Sequence, residues 1–190
     1  MPAPDFSLIG KVARQLTQPP AYAAASGARA SLLSVAASSY GWKVEDDDLT
    51  QPTGFDPEAA RLFEAVVEGA YLVANADGEF DDTEQAAFQH VVVTACGGAV
   101  AERQVSALLA DLHDQLDEDG MNKRIQMVAR TITREDHARE VLRVSSLLAH
   151  VSGGVSPVER EVLDKLAAEF KLAGAAVEQA IEEASHALTE

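Results

Sequence analysis

The residues of this 190-residue chain that are best placed to do chemistry lie in one acidic stretch, VANADGEFDDTE, at 73–84. Carboxylate oxygens are the ligands that hard divalent cations prefer in proteins. The stretch, called the acidic turn below, is therefore a candidate site for calcium, zinc or manganese. Its proposed ligands are the carboxylates of Asp77, Glu79, Asp81 and Glu84.

The acidic turn is also similar to the calcium loop of an EF-hand, with one defect. Such a loop has glycine at position 6, an apolar residue at 8 and glutamate at 12, and these fall on Gly78, Phe80 and Glu84. Position 1 must supply an oxygen ligand, yet it falls on Val73. A regular EF-hand is therefore not expected. In the alternative interpretation, the stretch only starts a helix, with Asp81 as N-cap and Glu84 completing a capping box.

A related turn occurs 75 residues later in the chain. Residues 147–163, LLAHVSGGVSPVEREVL, align with residues 72–88 and repeat the order of glycine, capping residue and glutamate: Gly153, Ser156 and Glu159. The alignment predicts two pseudo-repeated helical hairpins, each with a capping box. Ser156 and Glu159 form a second, weaker candidate for cation binding, because Ser152 stands where the first turn has Asp77.

Helix signals dominate the elements that must position these turns. Apolar residues recur at i, i+3 and i+4 in segment 5–18 and throughout the second half, and no segment shows the two-residue alternation of a half-buried strand. We predict an all-α fold in which residues 55–190 form a compact bundle of about seven helices. Residues 1–54 are expected to form a helical N-terminal extension with a linker. Asp56 and Thr133 are expected to cap helices.

The charge of the chain limits its partners. It contains 31 acidic and 15 basic residues, a formal net charge of −16. Such a surface repels phosphate, so nucleic acid is not expected as a partner, whereas a cation or a basic protein surface is attracted. Solubility alone is the alternative reason for the charge. No apolar run approaches the roughly 20 residues of a membrane span, and the start lacks a secretory signal, so we expect no direct membrane insertion and a cytoplasmic location.

Catalytic signatures are not found in the sequence, and an enzyme is not expected. P-loop, GxGxxG, GxSxG and HExxH patterns do not occur. His113 and Asp117 have the i, i+4 spacing of a helical metal pair, and a solvated acidic face is the alternative. Cys96 is the single cysteine, so an intramolecular disulfide is excluded. We expect it to be a buried small residue.

The two turn motifs together resemble the TerB-like tellurite-resistance family. They are ANADGEFDDTE in the first half and GGVSPVEREVLDKLAAEFKL near the end, and the similarity covers roughly residues 55–190. The resemblance implies a small cytoplasmic helical bundle with an acidic patch suspected of binding metal cations. It also implies a link to tellurite and stress resistance within larger complexes, without enzymatic activity. The matching positions are Asp77, Gly78, Glu84, Gly153, Ser156 and Glu159, while Ser152 departs from the acid often found there.

Two functions remain open from the sequence. In the first, a non-enzymatic TerB-like binding protein, the acidic turn binds a divalent cation and thereby alters the docking of a protein partner. In the second, a protein-interaction adaptor or scaffold without a metal site, the amphipathic segment 5–18 docks on a partner or forms an oligomer. In that case the acidic residues serve solubility only.

Overall fold

The computed structural model of the chain describes residues 6–42, 56–78 and 80–189. Within these ranges every regular element is a helix, which confirms the predicted all-α class. The N-terminal part contains α1 (Phe6–Thr17), α2 (Ala21–Ala25) and α3 (Leu32–Tyr40). The second part contains α4 (Pro57–Ala74), α5 (Asp82–Ala95), α6 (Glu102–Asp119), α7 (Met121–Thr131), α8 (Glu135–Ala149), a 3-10 turn (His150–Ser152), α9 (Pro157–Glu169) and α10 (Ala176–Thr189).

Helices α4 and α8 form the centre of the helical core. All residues from 65 to 73 and from 140 to 149 are buried, as expected for helices surrounded by protein. The two helices pack against each other, α4 also against α3 and α7, and α8 also against α10. Gly69 permits this close approach, because a Cβ atom there would lie 2.6 Å from Cγ1 of Val141. No helix of the described ranges is long and apolar enough to cross a bilayer.

Helix α1 belongs to the same apolar core as the later helices. The side chains of Ile9, Val12 and Leu16 are at most 5% exposed, and the helix packs against α5, α8 and α10. The core therefore covers the apolar face of α1, and docking of segment 5–18 on a partner or a second copy stays a prediction. The predicted boundary at residue 54 lies outside the described residues, and the helices on both sides of it contribute to one apolar cluster.

Of the two predicted helix caps at Asp56 and Thr133, the first is formed and the second is not. Asp56 caps α4 as expected, since its Oδ1 accepts hydrogen bonds from the N–H groups of Glu58 at 2.9 Å and Ala59 at 3.4 Å. The predicted Thr133 cap is wrong. Helix α8 begins one residue later, with Arg134 as an N-cap that makes no side-chain capping bond. Nε of Arg134 donates instead to Oδ1 of Asp136 at 3.0 Å.

Candidate functional site

The acidic turn joins α4 to α5, and its best-defined hydrogen bonds start a helix. Oδ1 of Asp81 accepts from the N–H of Thr83 at 2.8 Å and of Glu84 at 2.9 Å. Oε2 of Glu84 accepts in return from the N–H of Asp81 at 3.2 Å. This reciprocal arrangement confirms the predicted capping box. One oxygen of each of these carboxylates is therefore committed to the fold.

The apolar residue of the turn anchors it to the core. The ring of Phe80 meets Tyr71 and Phe88 edge-on, with centroid distances of 5.6 Å and 5.9 Å, a geometry that aromatic pairs favour. Gly78 has a φ of +79°, a conformation that glycine adopts without steric cost. The turn is thus held from both sides, by its aromatic anchor and by the cap of α5.

The structure brings the predicted cation ligands together only in part. Asp77 and Asp81 are exposed and Glu84 is half-buried, while Glu79 lies outside the described residues. Oδ2 of Asp81 and Oε1 of Glu84 are not used by the capping box. In the described part of the chain, no three His, Cys, Asp or Glu side chains are arranged to hold a metal ion. The pairing of Asp81 with Glu84 is therefore a helix cap in this structure.

The second turn has the same cap with a more buried glutamate. Oγ of Ser156 accepts from the N–H of Glu159 at 3.3 Å, and Oε2 of Glu159 accepts from the N–H of Ser156 at 2.7 Å. The second capping box is thereby confirmed. Glu159 is only 9% exposed, and the second turn is preceded by the 3-10 turn and by Gly153, at a φ of +117°. Cation binding by Ser156 and Glu159 stays a prediction.

An open groove of about 560 Å³ lies beside the acidic turn. Its walls come from residues 75–78, from the C-terminal half of α6 with Met121 at the start of α7, and from residues 158–165 of α9. Three exposed carboxylates, called the rim below, belong to these three walls: Asp77, Asp117 and Glu161. Segments far apart in sequence thus form one site.

Aliphatic side chains line the groove together with the rim carboxylates. Leu116 and Met121 are half-buried and Val162 is buried, whereas Val158 is 41% exposed; these four residues are called the floor below. His113 and Lys165 are the basic side chains of the lining. The groove therefore combines an acidic edge with an apolar surface.

The His113–Asp117 pair predicted from helix spacing is formed and lies in this groove. Nε2 of His113 lies 3.7 Å from Oδ2 of Asp117, with both side chains more than half exposed. Exposed pairs of this kind contribute little to stability. Sequence reasoning identified this pair and the acidic turn separately, and it missed Glu161, Val158 and Lys165. The i, i+4 spacing of Glu161 and Lys165 was the available signal, and such pairs are common on exposed helix faces.

A buried ion-pair network holds the α6 wall of the groove in place. Arg124 of α7 donates from Nε to Oε1 of Glu68 in α4 at 2.7 Å and from Nη1 to Oδ2 of Asp119 at 3.1 Å. Burial raises the pKa of Glu68, while the charge of Arg124 acts in the opposite direction. Asp119 is the last residue of α6, so this network fastens the end of that helix to the buried helix α4.

A second polar cluster lies beneath the N-terminal helices, and sequence reasoning missed it. Arg143 is 3% exposed. Its Nη2 and Nη1 donate to the carbonyl oxygens of Gln15 at 3.0 Å and Gln18 at 3.3 Å, and its Nε donates to Oε1 of Glu183 at 3.1 Å. A cation at the C-terminal end of α1 complements the helix dipole.

Two carboxylates of the same cluster meet the starts of α2 and α3. Oε1 of Glu183 accepts from the N–H of Ala21 at 3.4 Å, and Oε1 of Glu140 accepts from the N–H of Leu32. Burial raises the pKa of Glu140 to about 7, although the Leu32 N–H and the Arg143 charge lower it. Helices α8 and α10 thus supply ionisable groups to the C-terminal end of α1 and to the starts of α2 and α3. At each of these three ends the ionised group has the sign that the helix dipole favours.

Cys96 is buried in the core and does not offer a reactive thiolate. It is 6% exposed, which confirms the predicted burial. Burial raises the pKa of its thiol to about 12, and the thiolate is the nucleophilic form of cysteine. Cys96 therefore behaves as a small apolar residue of the core.

Comparison of the chain with known protein families, with curated proteins and with solved structures found no match. The resemblance to the TerB-like family rests on the two turn motifs, whose capping boxes begin α5 and α9. Membership of that family stays a prediction.

Proposed function

We propose that the protein is a non-enzymatic acidic binding protein of TerB-like type that binds a cationic ligand in the groove beside the acidic turn. The observation that carries the proposal is the convergence of the three rim carboxylates on one groove. In a chain of net charge −16, such a concave acidic site concentrates cations. A cytoplasmic location, a protein partner and a link to tellurite or stress resistance belong to the same proposal and rest on the sequence resemblance.

The rim carboxylates suit a ligand because the helix caps do not use them. Asp77, Asp117 and Glu161 are exposed, and none belongs to a capping box. The contact of Asp117 with His113 is an exposed pair at 3.7 Å, which a ligand displaces at little energetic cost. A cation can therefore bind at the rim without unfolding a helix start.

The proposed pseudo-repeat accounts for the position of the groove. Hairpins α4–α5 and α8–α9 each place a glycine of positive φ, Gly78 or Gly153, before a capping box. Residues 75–78 of the first turn and residues 158–165 after the second turn line the same groove. A duplicated hairpin would thus build one site from its two copies.

A divalent cation at the acidic turn is the second candidate function. Asp77 lies in the same turn as Oδ2 of Asp81 and Oε1 of Glu84, the oxygens that the capping box does not use. Calorimetric titration with calcium, zinc and manganese should give binding heat in the wild type and a reduced heat in Asp77→Ala. Absence of heat in both proteins would exclude a cation site at this turn.

Charge neutralisation at the rim tests the leading proposal. The groove variant carries Asp77→Asn, Asp117→Asn and Glu161→Gln. The control variant carries Glu58→Gln, Glu169→Gln and Glu182→Gln, which are exposed acids outside the groove lining and change the net charge equally. Amide NMR shifts are followed during titration with tetralysine.

The wild type and the control variant should bind tetralysine with shifts centred on residues 75–78 and 158–165. Loss of the three rim carboxylates should weaken binding by about tenfold or more, which corresponds to a loss of about 1.4 kcal/mol or more in binding free energy. Equal weakening of both variants would show that net charge alone attracts the probe, and the proposed site would be wrong.

A further inference from the structure

We infer, on the basis of the proposed function, that the ligand of the groove is a basic amphipathic helix of a protein partner. Its lysine or arginine side chains pair with the rim, and its aliphatic side chains cover the floor. This inference names the partner's chemistry, which the proposed function leaves open.

The shape of the groove favours a macromolecular partner over a small molecule. Sites for small molecules enclose most of the ligand surface. Here seven of the twelve lining residues are exposed, so the site is an open surface. Val158, 41% exposed in the first turn of α9, leaves apolar area uncovered beside Glu161. An apolar face of a partner would remove that area from water.

The lining residues discriminate among the known modes of peptide recognition. Addition of a strand needs a sheet edge, and the described residues contain no strand. Proline-rich segments dock on aromatic grooves, and phosphopeptides dock on arginine clusters. The lining contains no aromatic residue other than His113, and its one Lys or Arg side chain is Lys165. A helix laid in an aliphatic groove is the mode that these residues fit.

Charge complementarity determines which helix the groove accepts. The rim contributes three carboxylates against the single ammonium group of Lys165, so an acidic or neutral helix is disfavoured. Exposed charge pairs mainly accelerate and orient association, whereas desolvated apolar contacts hold the complex together. A helix with aliphatic anchors at i, i+3 or i+4 and i+7, flanked by basic residues, satisfies both the floor and the rim.

Two peptides of equal charge test this inference. Both have about 14 residues, a length at which an isolated helix is marginally stable, and identical lysine positions. The lysine–leucine peptide carries leucine on one helical face, and the lysine–alanine peptide carries alanine there. Binding to the full-length protein is measured by calorimetry, and the site is mapped by amide NMR shifts.

The lysine–leucine peptide should bind at least about tenfold more tightly, because burial of even two leucine side chains exceeds the 1.4 kcal/mol that tenfold requires. Val158→Ser should weaken its binding about threefold to tenfold. The matched control is Val35→Ser, at a valine of α3 that is 60% exposed and outside the groove lining. It should leave the affinity unchanged.

The outcomes separate this inference from the proposed function. If both peptides bind equally and both depend on the rim, the groove is a general cation site, so the inference is wrong and the proposed function stands. If the acidic turn binds metal ions and the groove binds neither peptide, the inference is also wrong. If neither peptide nor tetralysine depends on the rim carboxylates, the proposed function fails as well.

Discussion

Carboxylates meet the N-termini of helices in two regions of this molecule, at the surface in the acidic turn and in the cluster around the buried Arg143 beneath α1–α3. In the acidic turn, Asp81 and Glu84 cap their own helix over a sequence separation of three residues. In the buried cluster, Glu140 and Glu183 meet Leu32 and Ala21 over separations of 108 and 162 residues. The local bonds define where a helix begins, whereas the distant bonds define where a helix lies.

Solvent exposure separates the two regions energetically. An exposed charge is well hydrated and contributes little to stability. A buried charge that loses its partner is strongly destabilising. The buried Glu140 and the half-buried Glu183 therefore serve the fold, and we propose that the exposed rim carboxylates serve binding.

Removal of Arg143 should have the largest effect on stability. Arg143→Met leaves the half-buried Glu183 and two helix-end carbonyl groups without their partner and removes the positive charge beside the buried Glu140, so the free energy of unfolding should fall by about 3–5 kcal/mol. Arg139→Met is the matched control one turn earlier, where the guanidinium pairs with the exposed Glu135, and it should cost about 1 kcal/mol or less. Urea denaturation measures both. Equal losses would contradict the contrast between the buried cluster and the surface.

The second largest effect should appear in the pH dependence of stability. Burial raises the pKa of Glu140 from 4.5 to about 7, so the folded state binds the proton more strongly than the unfolded state. The stability from this group is fully present below pH 4.5 and is lost as the pH rises through about 7, an effect of about 3 kcal/mol. Glu140→Gln keeps an acceptor for the Leu32 N–H and should remove this part of the pH dependence.

The cluster around Glu140 defines the control for that experiment. Arg143, Asp136, Glu183 and Tyr22 are its charged or titratable neighbours, and the variant leaves them in place. Glu135→Gln removes one exposed negative charge from the same helix. Urea denaturation between pH 4.5 and 8.5 should give parallel curves for Glu135→Gln and the wild type. A curve for Glu140→Gln that is also parallel to the wild type would contradict the buried carboxyl's role.

A smaller effect is expected from the exposed cap of α5. Asp81→Ala should lower the free energy of unfolding by about 1 kcal/mol, as loss of an N-cap usually does. Asp81→Ser retains a capping oxygen and should restore most of that loss while removing the charge. Thermal or urea unfolding measures the three proteins. If Asp81→Ser is as unstable as Asp81→Ala, the charge of Asp81 contributes more to the fold than its cap does.

Asp77→Asn should have the smallest effect on the fold. Asp77 is exposed and lies outside both capping boxes, so the free energy of unfolding should change by no more than about 0.5 kcal/mol. Tetralysine binding should nevertheless weaken, by a few-fold. Asp82→Asn, in the first turn of α5 and outside the groove lining, is the matched control for binding. A larger stability loss than in Asp81→Ala would assign Asp77 to the fold.

Local sequence signals predicted the parts of the structure that short-range physics determines. The all-α class, the capping boxes at Asp81 and Ser156 and the burial of Cys96 follow from helix periodicity, capping chemistry or hydrophobicity within a few residues. Thr133 was assigned as a cap on the same grounds, yet the helix begins after Arg134. The start of α8 lies one residue later than predicted, where the side chain of Arg134 pairs with Asp136.

Tertiary proximity accounts for what the sequence did not predict. The periodicity of segment 5–18 predicted an apolar face, but it did not reveal that α5, α8 and α10 cover it. Glu140 and Arg143 stand inside the apolar run of α8 as charged residues, a signal of buried pairing, and their partners lie between 40 and 128 residues away. The rim likewise joins three separate segments, so no single motif contains it.

The most direct test of the functional contrast measures the unfolding free energy of the groove variant with and without the lysine–leucine peptide. Without peptide, the groove variant should stay within about 1 kcal/mol of the wild type, since its three substitutions are exposed. At a peptide concentration of about 100 Kd, the wild type should gain about 2.7 kcal/mol, and a variant that binds tenfold more weakly should gain about 1.4 kcal/mol or less. A groove variant that gains as much as the wild type, or that loses several kcal/mol without peptide, would contradict the assignment of the rim carboxylates to binding.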